Sequence, residues 1–205
     1  MLPYLVVVKN RIIINKTFKE FRMRSDQIFE EFAKKQQQLE DEKLHIWFQH
    51  SLFTFQWWIG ALLLVISIIV FVMFRKKNST DRLLYVGTFT ALLSSLLDLV
   101  GNSLGFFHYH YEVIPLTDNY FPWSISIIPV SIMFLLQIKT TINPYTKALI
   151  LSLIVSFLIL PLLEFIGIYH PVNWKFYYSA PVVFIIYLIA DYLSKREKFR
   201  KLNED

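Results

Sequence analysis

Five long apolar stretches dominate the chain. Residues 52–74 contain no charge, residues 83–107 carry one, Asp98, and residues 119–138 again carry none. Residues 148–169 carry only Glu164, and residues 176–194 only Asp191. A bilayer core about 30 Å thick takes roughly 20 apolar residues of helix. None of the five stretches alternates apolar and polar residues with the period of two that a transmembrane β-strand needs. The pattern predicts an all-α fold, an integral membrane bundle of five transmembrane helices over residues 51–194.

The first 50 residues differ in kind. They hold 9 of the 21 Lys and Arg and 7 of the 16 Asp and Glu. The opening MLPYLVVV is too short to span, and it lacks the basic start and small-residue cleavage site of a signal peptide. From Lys16 to Lys43 there is no Pro or Gly, and Glu, Lys, Gln and Phe dominate, which predicts helix from about residue 16. Phe18, Phe21, Ile28, Phe32 and Leu39 fall near a 3.5-residue stripe, interrupted at Ser25 and Lys35. Segment 1–50 therefore reads as an extramembrane piece. Its helix is either amphipathic, lying on a membrane surface or another chain, or solvated and leading into the first span.

Composition sharpens this picture. Hydrophobic residues make up 55% and charged residues 18%, against about 25% charged in soluble domains, which excludes an ordinary soluble globule. With no cysteine, disulfides, thiolate metal sites and cysteine nucleophiles are excluded too.

Lys and Arg beside short loops set membrane orientation. Four lie in the loop 75–82, two in 139–147 and five in the tail 195–205. The opposite side has none in 108–118 and only Lys175 after the fourth span. Those three basic segments are expected in the cytoplasm, in contact with anionic lipids. Five spans then leave the N-terminus outside. Trp47, Trp57, Trp58, Tyr109, Tyr111, Tyr120, Trp123, Tyr169, Trp174, Tyr177 and Tyr178 all fall at the outer span ends, where amphipathic rings favour the headgroup layer.

Asp98 is the most informative residue. Within a span over 83–107 it sits about ten residues from the outer end, about 15 Å deep at 1.5 Å per residue. A charge near mid-bilayer costs about 2.5–3.5 kcal/mol on insertion scales, so an acid there faces a partner or a cavity. Gly87, Ala91, Ser94, Asp98, Gly101, Gly105 and His108 recur on one helical face, with Ser95 and Asn102 beside it. Gly101 and Gly105 form a GxxxG pair suited to close helix packing. This face is either a packing seam around a protonated, hydrogen-bonded Asp98, since burial favours the neutral acid, or a ligand or proton site built from Asp98, Asn102, Ser94, His108 and Tyr109. In an extended strand His108, His110 and Glu112 would project to one side, a set that would suit a divalent transition metal. Glu164 and Asp191 lie near helix ends. Pro129 and Pro161 interrupt the third and fourth spans, where proline frees a carbonyl. There is no P-loop, no dinucleotide glycine signature, no HExxH and no clear nucleophile–base pair. No internal repeat is visible. No cofactor and no nucleic acid is implied.

The strings FTFQWW (53–58), LLDLVGNSLGFFHY (96–109), IPVSIMFLLQ (128–137), PLLEFIGIY (161–169) and NWKFYYS (173–179), with Pro115, occur in that order. In them the chain resembles a family of small multi-pass membrane proteins of spore-forming Firmicutes that has no assigned activity. The resemblance covers about residues 44–193 and is most specific at Asp98, Gly101 and Gly105. It implies a membrane location in a spore-former. Two positions depart from the family pattern: Ser124 and Leu160 stand where members often carry Asp and Glu.

These features favour a non-enzymatic membrane protein with a small polar intramembrane site around Asp98, binding a small ligand or a protein partner, or a second copy of itself. A proton-coupled carrier centred on Asp98 is the alternative, and an intramembrane lipid-active or metal-dependent enzyme a second one. The charge asymmetry makes a direct prediction. Labelling sites introduced at Ser79 and Thr140 are shielded from an impermeant external reagent, and one at Thr117 is open to it. The reverse pattern would overturn the orientation, and two cytoplasmic termini would overturn the count of five.

Overall fold

The computed structural model describes residues 2–115, 119–138 and 140–196, with side-chain surroundings from residue 22 onward. The basic tail expected over 195–205 is thus described only to residue 196. The chain divides into two compact units, Met1–Ile46 and Trp47–Asp205. The first is one helix, α1, Leu2–Ile46, which starts well ahead of residue 16. The added segment has no Gly, and its one proline, Pro3, lies in the first turn, where a missing N–H costs no helical bond. Ile28, Phe32 and Leu39 of the expected stripe are exposed. Phe18 and Phe21 fall outside the described side chains.

The second unit opens with a π-helical turn, Trp47–Ser51, and continues into α2, Phe55–Phe74. The Thr54 hydroxyl caps α2 by accepting a bond from the Trp57 N–H. A short 3₁₀ turn, Lys77–Ser79, leads into α3, Thr80–Ser103. Strand β1, Phe107–Tyr109, follows. Then come a π turn, Pro122–Ile127, with α4, Ile128–Gln137, and α5, Pro144–Ile154. A third π turn, Val155–Ile159, joins α5 to α6, Leu160–Phe165. Strand β2, Tyr169–Pro171, and α7, Phe176–Ser194, complete the unit. With each π or 3₁₀ turn counted into the helix it adjoins, the described residues form six helices and one two-stranded ribbon, an all-α fold.

Four of these helices are long and apolar enough to cross a membrane: Phe55–Phe74, Lys77–Ser103, Pro144–Phe165 and Phe176–Ser194. The apolar helix expected over 119–138 is shorter, Pro122–Gln137. Asn119 and Tyr120 remain outside it, and the Tyr120 N–H bonds Asp98 instead.

Two spans end earlier than the apolar runs that announced them. Helix α3 stops at Ser103, and Gly105 takes φ +69°. The Phe106 N–H closes back on the Gly101 carbonyl at 3.0 Å, a helix ending that glycine's freedom at positive φ permits. Helix α6 ends the same way, with Gly167 at φ +81° and the Ile168 N–H on the Leu163 carbonyl at 2.9 Å. Each ending throws the chain into a strand, and β1 and β2 pair antiparallel with His108 opposite His170. The local sequence repeats too: Gly105-Phe106-Phe107-His108 against Gly167-Ile168-Tyr169-His170. The repeat is too short to register in a scan of apolar runs.

The prolines shape the interiors of two helices. Pro129 and Pro161 each follow a π turn, within which the Ile128 N–H bonds the Trp123 carbonyl and the Leu160 N–H bonds the Val155 carbonyl, five residues back. Continuing that pattern, the Ser124 carbonyl would need an N–H from residue 129, which proline lacks. The Ser94 hydroxyl of α3 supplies the hydrogen instead, at 2.5 Å. At the other end of the bundle Lys147 Nζ donates to the Leu135 and Ile138 carbonyls at 2.7 and 2.6 Å, closing the end of α4. Gln137 Oε1 accepts from the Lys76 N–H at 2.9 Å. Thus α4 starts beside the ribbon-side half of α3 and ends beside the loop before it.

The glycines test this packing. A Cβ at Gly60 would lie 2.6 Å from the hydroxyl of Tyr120, a side chain with no exposed surface. At Gly87 it would meet the flexible end of Met133 at 2.5 Å. Gly60→Ala should therefore cost about 1–3 kcal/mol and Gly87→Ala under about 1 kcal/mol, measured by denaturant unfolding in micelles. Equal costs would contradict this packing.

Candidate functional site

Asp98 lies on the inward face of α3, five residues before its end, so about 7.5 Å from it rather than 15 Å. Only 7% of its surface is exposed. Tyr109 Oη donates to Asp98 Oδ1 at 2.7 Å, and the Tyr120 N–H donates to Oδ2 at 3.1 Å. A backbone N–H can only donate, so Oδ2 must accept. Burial, then the neighbouring Asp98, pushes the Tyr109 phenol well above the ordinary tyrosine range, so it keeps its proton to donate. The Tyr109 and Tyr120 rings stack with centroids 5.1 Å apart.

Beside this clamp is a cavity of about 200 Å³. Its wall on α3 is Ser94, Leu97, Asp98, Val100 and Gly101. The ribbon supplies Phe107, Tyr109 and Tyr169, the two π turns supply Trp123 and Val155, and α7 supplies Val182, Val183 and Ile186. The cavity is partly open, and Leu97 and Val100 of its α3 wall are substantially exposed. Trp174 stacks on Phe106 at 5.3 Å and donates its indole N–H to Ser179 Oγ at 2.8 Å. Among the described residues, the lining contains one carboxyl group and no Lys, Arg or His. Chemically it can hold a small apolar body against one acid, and it has no nucleophile–base pair.

The sequence-derived site residues separate into two groups. Ser94, Asp98, Gly101 and Tyr109 line the cavity. Asn102 and His108 do not; they pair at the surface, Nδ1 to Oδ1 at 3.1 Å. The GxxxG reading needs correction. Gly105 lies beyond the helix with nothing within 4 Å of a Cβ built on it, while the group that approaches Gly101 is the Phe107 ring at 2.5 Å, not another helix. The proposed metal set of His108, His110 and Glu112 is also corrected. The described residues hold no group of three His, Cys, Asp or Glu placed to grip a metal ion. The strand ends at Tyr109, so the alternation that would align the three side chains fails before Glu112, which is buried while the two imidazoles are exposed. His110 stacks on His170 with centroids 5.3 Å apart. Partial burial, then His170 and His108, hold its imidazole below the ordinary histidine value.

Sequence reasoning assigned Tyr109, Tyr120, Trp123, Tyr169 and Trp174 to the membrane interface. In the structure Tyr109, Tyr120, Trp123 and Tyr169 are buried, and four of the five line the cavity. The signal was there as a period of two: Phe107, Tyr109 and Tyr169 turn inward, His108, His110 and His170 outward. Leu160 lines the cavity, and Ser124 offers its carbonyl to Ser94. Compared with protein-family models, curated proteins and solved structures, the chain matches none.

Substitution at Asp98 separates shape from hydrogen bonding. In Asp98→Asn the amide oxygen still accepts from the Tyr120 N–H, and the amide nitrogen donates to Tyr109 Oη. Asp98→Leu strands both groups in a dry site, at about 1–3 kcal/mol for each unpaired group. Unfolding of both variants in micelles should show the leucine variant clearly destabilised and the asparagine variant within about 1 kcal/mol of the parent. Equal stability of the two would contradict the clamp.

Proposed function

We propose that this protein is a non-enzymatic, multi-pass membrane protein that binds a small, largely apolar ligand in the cavity beside Asp98. The observation that carries this reading is the cavity itself, ligand-sized, open at one side and ending on a buried acid. Ligand sites are concave and mostly apolar, with a few placed polar groups. At about 200 Å³ it is smaller than the roughly 300–1,000 Å³ of drug-sized pockets, and larger than the 150 Å³ cavity that holds benzene. One ring with a small substituent matches it.

In this reading Pro122–Gln137 is a fifth crossing, supported by its start beside Asp98 and its end beside Lys76. The basic loops then lie in the cytoplasm, the ribbon lies at the outer face, and the ligand reaches the cavity from the outer half of the bilayer. A second reading, carriage of that ligand, draws on the repeated helix ending. Leu160 stands seven residues before Gly167 as Asp98 stands seven before Gly105, and both line the cavity. Carriers commonly place their sites between repeats of several helices; here the likeness is confined to the two helix endings.

Binding to the folded state raises stability by RT ln(1 + [L]/Kd). Adding tert-butylbenzene to the reconstituted full chain should raise its unfolding temperature, and Val183→Trp, which fills the cavity, should abolish the rise. An unchanged unfolding temperature in the parent, or an equal rise in Val183→Trp, would overturn the cavity as the site.

A further inference from the structure

Resting on the cavity reading above, the geometry points to a compact, substituted ammonium ion as the ligand class, held between the Asp98 carboxylate and an aromatic wall. The lining decides the sign of the charge. Among the described residues of the lining, Asp98 is the one carboxyl group, the other ionisable side chains are the phenols Tyr109 and Tyr169, and no basic side chain joins them. An anion would enter with no cation to meet it, whereas a cation meets a carboxylate that two donors already hold in place.

The rings decide the kind of cation. Phe106, Phe107, Tyr109, Trp123, Tyr169 and Trp174 all contribute to the wall. Phe107 packs on three of them, with ring centroids 5.8 Å from Tyr109, 5.4 Å from Tyr169 and 6.2 Å from Trp174, so that they form one continuous aromatic wall. Aromatic faces attract cations through their quadrupoles, most strongly where water is excluded, and aromatic cages are the usual solution for quaternary ammonium groups. A primary ammonium is a compact, strongly hydrated point charge that needs three acceptors. Beyond Asp98, the described lining offers such a group only the hydroxyl oxygens of Ser94, Ser179, Tyr109 and Tyr169, and Ser179 Oγ already accepts from Trp174. A nitrogen wrapped in methyl or methylene groups needs no such acceptors and presents apolar surface to the rings.

The volume bounds the body that carries the nitrogen. A cavity of about 200 Å³ exceeds the 150 Å³ that takes benzene by about one small substituent. Phenyltrimethylammonium is a ring with one compact substituent, whose outermost methyl groups would reach into the open side of the cavity, and tert-butylbenzene has the same shape without the charge.

The test compares these two probes. Binding of each to the full chain in nanodiscs is measured by equilibrium dialysis against empty nanodiscs, for the parent and for Asp98→Asn. Phenyltrimethylammonium should bind the parent at least about tenfold more tightly than tert-butylbenzene, and that ratio should collapse toward one in Asp98→Asn. If tert-butylbenzene binds as tightly or more tightly, the cation class is wrong while the cavity reading stands. If neither probe binds the parent, both fall. A tenfold preference that persists in Asp98→Asn would overturn the role given to the carboxylate. Trp174→Leu, which leaves the Asp98 clamp untouched, is a second variant. It should lower cation affinity more than that of the neutral probe, and an equal loss for both would count against the role given to the aromatic wall.

Discussion

A single carboxyl group joins three pieces of chain that the sequence keeps apart. Asp98 belongs to α3, the Tyr109 hydroxyl to β1, and the Tyr120 N–H to the segment that leads into the next helix. In apolar surroundings a backbone N–H without an acceptor costs far more than in water, so the chain after the ribbon is bound to return to Asp98. That return places Trp123 and the π turn beside α3, and it sets where the short helix Pro122–Gln137 begins. The Ser94 bond to the Ser124 carbonyl repairs the gap left by Pro129 one turn further along the same face. The acid is therefore structural and exposed to the cavity at once, and the two roles are not competitors.

The cavity follows from local backbone chemistry as much as from side-chain size. Proline removes the bond that would continue a regular helix, and the turns before Pro129 and Pro161 relax to five-residue spacing. Such π turns widen the helix locally and are frequent at functional sites. Here they bring Trp123 and Val155 to the same space. Glycine at 105 and 167 ends the two helices early enough for the ribbon to fold over it. A straight continuation of α3 through residue 107 would have carried Phe107 away from Gly101, against which it now packs.

Much of this was legible in the order of residues. Apolar runs located the helices, because hydrocarbon demands that each segment satisfy its own backbone, and the cost of a lone acid singled out Asp98. Helix ends were harder to read. Hydropathy does not distinguish a helical Leu-Gly-Phe-Phe from a turn and a strand, so residues 104–107 were counted as span and Gly105 was misassigned. The tyrosines and tryptophans were read as an interfacial belt because composition does not say which way a ring points. Strand register does: Phe107 and Tyr109 face in, and His108 and His110 face out. The same alternation removed the histidines from the site and brought Phe107 and Tyr169 into it.

In the proposed reading a small ligand sits inside the bundle against Asp98. Intermolecular nuclear Overhauser effects from the tert-butyl protons of tert-butylbenzene to the full chain in deuterated micelles test it most directly. The account predicts cross-peaks to the Tyr109 and Tyr169 rings, the Trp174 indole and the Val183 methyls. Cross-peaks confined to outward-facing groups such as Trp58 and Phe165, with none to Val183 or Tyr109, would contradict it.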